Sequence, residues 1–266
     1  MSDNRMFYRE VAPSAEISHL VLSFWEFTGE GESSEPISHE VFPDGCISLF
    51  YYRNEPIKVI GLFIKDLNLE TVKTQIYAGD VYWGMRLAPS AGAAILRVNP
   101  SEIYSHPLDA ANELTHLTAG LLEKLKACRT FEQAVAVYES LIESLALPVA
   151  KADEKVAEAV RIIEANPGEM KIADVAEKVN LSVRQLERRF RKNAGLSPKQ
   201  YARARRIRAT AINMLEETEM NMASRALEMG FADQSHLTHE FSTLTGRSPN
   251  SFAERVKRIE HGELVK

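Results

Sequence analysis

The sequence predicts a two-domain α+β protein. An N-terminal antiparallel β barrel or sandwich with two following helices precedes an all-α tandem helix-turn-helix of about seven helices. Three observations carry this. At 266 residues the chain is long enough for two cores. About the first 100 residues break into short runs rich in β-branched and aromatic side chains, separated by turn clusters. From Asp153 onward the apolar spacing is wholly helical, with no strand pattern, and one motif recurs.

Composition narrows the class. Hydrophobic residues make up 45% and charged residues 26%, ordinary globular values. The longest apolar runs, such as Val81–Met85 and Ala91–Leu96, fall far short of the ~20 residues a membrane span needs. The opening MSDNRMFYRE lacks the charged-then-apolar pattern of a signal peptide. Two cysteines, Cys46 and Cys128, are too few for a disulfide scaffold and fit a reducing compartment. The expectation is a soluble cytoplasmic protein with no membrane partner.

The strands are expected at Leu20–Phe27, Cys46–Tyr52, Lys58–Ile64, Thr71–Ala78 and Val81–Leu87. Turn clusters Gly29–Ser34, Pro43-Asp44-Gly45, Arg53–Pro56 and Ala88–Gly92 separate them. Helices follow at Leu114–Leu125 and Ala134–Leu145, where apolar residues step by three and four. Leu147–Lys151, containing Pro148, reads as a linker, so residues 1–148 form one domain and 152–266 the other.

In the second half a shift of 51 carries Leu186 onto Leu237, Phe190 onto Phe241, Gly195 onto Gly246, Ser197-Pro198 onto Ser248-Pro249 and Tyr201 onto Phe252. Leu and Phe share a helix face, Gly permits a left-handed stop, and Ser-Pro caps and starts the next helix. Short helices Ile172–Val179 and Met222–Met229 precede the two copies, giving helix-turn-helix units at about 172–194 and 222–245. Between them Pro198–Glu217 has no internal Gly or Pro. That is a rod of about 30 Å, close to the ~34 Å of one DNA turn.

Net charge is −5, but it is unevenly spread: residues 1–150 carry 11 Lys+Arg against 20 Asp+Glu, and residues 151–266 carry 21 against 17. Arg184, Arg188, Arg189, Arg191, Lys192, Lys199, Arg203, Arg205, Arg206 and Arg208 face a single acid, Glu187, within their stretch. A solvated helix face usually balances such cations at i+4, so the block marks a polyanion partner, nucleic acid. At 100° per residue Val183, Leu186 and Phe190 point inward from the first second-helix, which Ser182 caps with Gln185 at capping-box spacing. Arg184, Gln185, Arg188 and Lys192 fall opposite, a face able to bond base and phosphate edges. In the second copy Leu237, Phe241 and Leu244 point inward. Gln234, Ser235, Thr238, His239 and Ser242 lie toward the open side, with no Arg or Lys among them.

Together IADVAEKVNLSVRQLERRFRKNAGLSPKQYARARRIRAT and GFADQSHLTHEFSTLTGRSP resemble the DNA-binding domain of AraC/XylS-type transcription regulators, over roughly Ala152–Ile259. The resemblance implies base contacts by Arg184, Glu187 and Arg188 in the first unit and by Gln234, Ser235, Thr238 and His239 in the second. Neighbouring Ser182, Gln185, Arg191 and Lys192 are then candidates for phosphate contact. It also implies double-stranded DNA and RNA polymerase as partners, an activating role, and no catalytic residue, metal or cofactor. One departure is Arg225, where the family has an apolar residue; the second unit then packs more loosely, or Arg225 tilts into solvent. The pieces LSFWEF, EVFPDGCISLFYY, VIGL and WGMRLAPSAGAAIL resemble a β-rich domain found ahead of this module in some regulators, which implies effector binding, homodimerisation or both.

Other constellations carry less. Cys46 after Pro43-Asp44-Gly45 fits a buried residue following a turn, although it is the one candidate nucleophile for an alternative, enzymatic or self-modifying N-terminal half. His236 and His239, with Glu240 adjacent, superficially offer metal ligands but have no cysteine or further histidine close in sequence, and His106 and His116 read as ordinary surface or core histidines. Trp25, Tyr51, Tyr52, Tyr77, Tyr82 and Trp83 read first as core, with a small apolar effector at a barrel mouth as the alternative.

Overall fold

A computed structural model describes residues 4–65, 71–97, 108–109, 114–145, 153–166, 170–256 and 259–261. The expected linker Leu147–Lys151 and His106 lie outside them, as does the side chain of His116. The N-terminal strands are β1 (Arg5–Val11), β2 (Val21–Glu30), β3 (Ile37–Val41), β4 (Ser48–Asn54), β5 (Val59–Lys65), β6 (Val72–Ile76), β7 (Asp80–Leu87) and β8 (Leu108–Asp109). A last strand, β9 (Ile259–His261), comes from the C-terminal end. Seven strands form one sheet in the order β8-β5-β4-β7-β2-β1-β9, and β3 pairs with β6 as a separate ribbon. All pairings are antiparallel except β1 with β9.

The barrel alternative is therefore corrected: among the described residues the sheet stays open, because β3 and β6 bond to each other instead of bridging its edges. The expected absence of strand after Asp153 is also corrected, since Met6–Tyr8 line up with Ile259–His261. Three residues offer too short a pattern to register against the helical background.

One sheet face packs on helices. After a short α1 (Gly92–Leu96) come α2 (Thr115–Thr118), α3 (Leu121–Ala127) and α4 (Phe131–Ser144). Phe24, Leu49, Tyr51, Leu62, Trp83 and Met85 meet Leu121, Leu125, Phe131 and Tyr138 in a common core. The Tyr138 hydroxyl donates to Trp83 O at 2.8 Å and accepts from Tyr51 N at 3.1 Å, pinning α4 to the sheet. The single expected helix Leu114–Leu125 is two, because Gly120 adopts φ 73°, a left-handed conformation that breaks the ladder. The next helix begins earlier than Ala134, at Phe131, because Thr130 accepts from Gln133 N and so caps it. The opposite sheet face is aromatic: Trp25, Phe50, Phe63, Tyr52 and Tyr82 stack ring against ring at 4.6–6.4 Å centroid spacing. The ribbon covers its end at Phe27 through Ile37 and Ile76. Thus Tyr51 and Trp83 are core as expected, while Trp25, Tyr52 and Tyr82 pack on the other face.

The C-terminal helices are α5 (Glu154–Ala165), α6 (Ile172–Lys178), α7 (Val183–Ala194), α8 (Pro198–Glu216), α9 (Met222–Glu228), α10 (Gln234–Thr245) and α11 (Pro249–Val256). They build two small cores, one around Val160, Val175, Leu186, Phe190 and Tyr201, the other around Met214, Ala226, Leu237, Phe241 and Phe252. Both cores reach into the N-terminal half. Cys46 belongs to the first, and the Phe42 ring sits 5.0 Å from Phe252 in the second. In the other direction Leu196, just past α7, is buried in the sheet-and-helix core. Arg247, the residue at the same place past α10 (a shift of 51), holds Glu40 with two donors, Nη2 at 2.6 Å and Nε.

A buried charge network joins the halves. Arg86 on β7 reaches Glu10 at 3.1 Å and Asp44 at 2.8 Å, and Lys65 reaches Asp44 at 3.0 Å. Arg208 on α8 bonds both oxygens of Glu10 at 2.6 Å. Burial by itself would raise the Glu10 carboxyl; Arg86 and Arg208 outweigh it and hold the pKa at about 2.

Candidate nucleic-acid interface

In the first unit, the turn after α6 places Asn180 at φ 54° and returns Leu181 N to Ala176 O at 2.9 Å. Helix α7 then starts on a full capping box: Ser182 Oγ accepts from Gln185 N at 3.2 Å, and Gln185 Oε1 accepts from Ser182 N at 2.9 Å. It stops at Gly195, φ 74°. Leu186 and Phe190 are buried as expected, with Phe190 against the Tyr201 ring at 5.5 Å. Val183 is not: it is 40% exposed, because it occupies the first helical position, a turn ahead of Leu186, beyond the reach of the unit's core.

The outer side of α7 exposes Arg184, Arg188, Arg191 and Lys192, with Glu187 half-buried beside them. Ser182 and Gln185 are also exposed, but their oxygens serve the cap. The expectation of an unbalanced basic block needs correcting. Arg189 holds Asp153 at 2.9 Å, Arg205 holds Glu164 at 2.7 Å, Arg208 holds Glu10, and Arg203 and Arg206 both address Glu240. Half of the ten cations are thus committed to acids 34–198 residues away, which an i+4 test along one helix does not see. Arg184, Arg188, Arg191, Lys192 and Lys199 form no ion pair among the described residues. The footprint is smaller than the sequence suggested, and it is concentrated on the outer face of α7.

The second unit repeats the first with one difference. Phe231 N returns to Ala226 O at 2.8 Å over a turn containing Gly230 at φ 71°, as Leu181 does to Ala176. The first helices match at a shift of 50 and the recognition helices at 51, so the second turn holds one more residue. Asp233 caps α10 by accepting from His236 N at 2.8 Å, and Gly246 at φ 70° ends it. Leu237, Phe241 and Leu244 face inward as expected. Gln234, Ser235 and His239 are exposed, and Thr238 and Ser242 are half-buried. His236 turns back: its Nδ1 accepts from Ala232 N at 3.2 Å, and its ring packs 5.5 Å from Phe231.

Arg225 takes neither of the two expected courses. It stands where the first unit has Val175, a shift of 50, and is just as buried at 1% exposure. Its guanidinium donates to Asn213 Oδ1, to Glu217 O at 2.7 Å and to Met220 O at 3.1 Å. It therefore ties α9 to the end of α8, satisfying carbonyls that the helix terminus leaves open. Cys46, the candidate nucleophile, is 1% exposed, and burial pushes its thiol up to about 12. That leaves almost no thiolate at neutral pH. No helix among the described residues is long and apolar enough to cross a membrane.

Comparison with known proteins places these features. Residues 175–255 match a helix-turn-helix domain, and residues 9–109 match a domain of unknown function (DUF6597). The chain is 29% identical over 152 residues to the Msm operon regulatory protein of Streptococcus mutans, covering 57% of this chain and 51% of that protein. It is 32% identical over 136 residues to the arabinose operon regulatory protein of Escherichia coli, covering 50% and 45% respectively. The chain thus spans about half the length of the curated relatives it matches. A crystal structure of a transcriptional regulator from Chromobacterium violaceum, described as having an AraC-type DNA-binding domain, is 28% identical with a TM-score of 0.36, covering 38% of this chain and 91% of that one.

Proposed function

We infer that this chain, whose C-terminal half carries a helix-turn-helix domain of the AraC type, is a sequence-specific DNA-binding transcription regulator controlled through its β-rich half. The observation that carries the reading is the selective exposure of α7. Neighbouring cations are held in ion pairs, Arg189 on the same helix among them, yet Arg184, Arg188, Arg191 and Lys192 are left to solvent on one face of α7. Arg184 and Arg188 read base edges with Glu187, while Arg191 and Lys192 meet phosphates. Helix α10 adds Gln234, Ser235, Thr238 and His239, a polar face without cations that contributes less electrostatic affinity. The connecting helix α8 spans 19 residues, about 28 Å, and suits two units reading successive major grooves. Residues 1–148 are the regulatory half and 152–266 the DNA-binding half. RNA polymerase is the machinery on which a bound regulator of this kind acts, and activation is the mode we assign.

The test is selection from a randomised duplex pool at two salt concentrations, followed by Arg188→Ala. We expect a site with two short boxes about one helical turn apart. Arg188→Ala should cost about 1–3 kcal/mol and relax preference at one or two base pairs. If it weakened every sequence alike, Arg188 would be a phosphate contact. Binding without sequence preference that vanished with salt would overturn the regulator reading itself.

A further inference from the structure

The halves do not meet flush. Between the β1–β2 segment, the residues after β7, α5 and α8 lies a cavity of about 210 Å³. That is the liquid volume of about seven waters, room for a small metabolite and not for a drug-sized ligand. Its polar lining comes from both halves: Ser18, His19 and Ser90 on one side, Arg161, Arg205 and Arg208 on the other. The acids that also line it are already engaged. Glu10 is taken by Arg86 and Arg208, and Glu164 by Arg205 and the Tyr201 hydroxyl. Of the cations, Arg208 holds Glu10 and Arg161 holds Glu158, which leaves Arg205 as the one with unmet donors. Arg205 is 6% exposed and gives only Nη2 to Glu164, while its Nε and Nη1 are buried with no hydrogen-bond partner among the described residues.

A buried guanidinium with two unmet donors is costly unless something accepts from it. We propose that the cavity binds a small organic oxyanion, a carboxylate or a phosphate ester. Arg205 takes its charge, and Ser18, His19 and Ser90 meet hydroxyl or carbonyl groups on its body. On the aromatic face of the sheet the rings pack against one another. A Cβ on Gly84 would lie 2.3 Å from the Trp25 ring. Because α8 carries Arg205 and Arg208 and joins the two helix-turn-helix units, a ligand held here touches both the β-rich half and the rod between the DNA-reading helices. The regulatory consequence rests on the function proposed above; the binding does not.

The experiment is calorimetric titration of the full chain with inorganic phosphate, glycerol phosphate, lactate and succinate, with glycerol as the uncharged control. Saturable binding of at least one oxyanion at millimolar concentration or below is expected, and none of glycerol; which probe binds separates phosphate from carboxylate. Arg205→Gln should weaken binding about tenfold or more, the usual loss when a charge-assisted hydrogen bond is removed. Because Arg205 also holds Glu164, Ala157→Leu is the second variant. It fills the cavity from α5, leaves that pair alone, and should abolish binding with the thermal transition retained. Binding unchanged in Ala157→Leu, or no probe binding better than glycerol, overturns the proposal. DNA retention by the same samples is scored separately: DNA binding without anion binding sinks only this site, and anion binding without DNA binding sinks only the regulator reading.

Discussion

Arg225→Ala asks whether a buried cation in an apolar position stabilises the second unit. The substitution removes three hydrogen bonds. Two of the acceptors, the carbonyls of Glu217 and Met220, lie in the turn after α8, where Glu217 is exposed and Met220 half-buried, so water replaces the guanidinium at little cost. Asn213 Oδ1 is different. Asn213 is buried, and its side chain otherwise has only a long 3.4 Å contact to Glu228, so its oxygen is orphaned at about 1–3 kcal/mol. The emptied volume adds a cavity term, and release of the buried charge, whose pKa burial lowers, returns part of the loss. A net destabilisation of about 2–3 kcal/mol follows. Urea unfolding of the full chain at neutral pH measures it, with Arg225→Leu restoring volume but not the bonds. If Arg225→Ala were neutral or stabilising, the desolvation of the guanidinium would equal what its bonds return, and Arg225 would not be what holds α9 to α8.

Gly84→Ala should destabilise the β-rich half by about 1–3 kcal/mol, because the new methyl meets the Trp25 ring, itself packed 5.8 Å from Phe50; an unchanged melting transition would contradict this. His39 gives a pH signature. Burial and Arg255 lower its pKa to about 4 from 6.5, so the unfolded chain binds more protons between those values and stability falls as pH drops through that window. A loss of about 2 kcal/mol between pH 7 and pH 5 is expected, absent in His39→Asn. Glu10 works lower, its contribution present above about 4.5 and lost as pH falls toward about 2.

Where the sequence was legible, the signal was local. The capping boxes, the left-handed glycines and the Ser-Pro starts each depend on residues within one turn of each other, and Ser182, Gly195, Ser197, Gly246 and Ser248 all act as their spacing implies. Gly120 was equally local and still misled, because a glycine inside an apolar pattern of three- and four-residue steps does not announce whether it bends the helix or rides in it. The ion pairs of Arg189, Arg205, Arg206 and Arg208 could not be read, since charge counting along a window is blind to acids brought in by tertiary structure. Strand β1 went unread because its inward residues, Met6 and Glu10, include a carboxylate whose burial makes sense only once Arg86 and Arg208 are beside it. For the interface, the exposed cations of α7 were visible beforehand, but the cavity was not: it is assembled from four segments distant in sequence.

The two corners at Leu196 and Arg247 occupy equivalent places in the repeat, yet they grip the β-rich half by forces with opposite responses to salt. Leu196 is held by exclusion of apolar surface from water, which added salt leaves intact or strengthens. Arg247 is held by charge on a partly exposed pair, which mobile ions screen within a Debye length of about 8 Å at physiological ionic strength. Raising salt therefore weakens the Arg247 contact and leaves the Leu196 contact intact. The second unit is not thereby released, because Phe42 on Phe252 and the β1–β9 pairing seat it by contacts that mobile ions do not screen, so salt trims one contact of a redundant clasp.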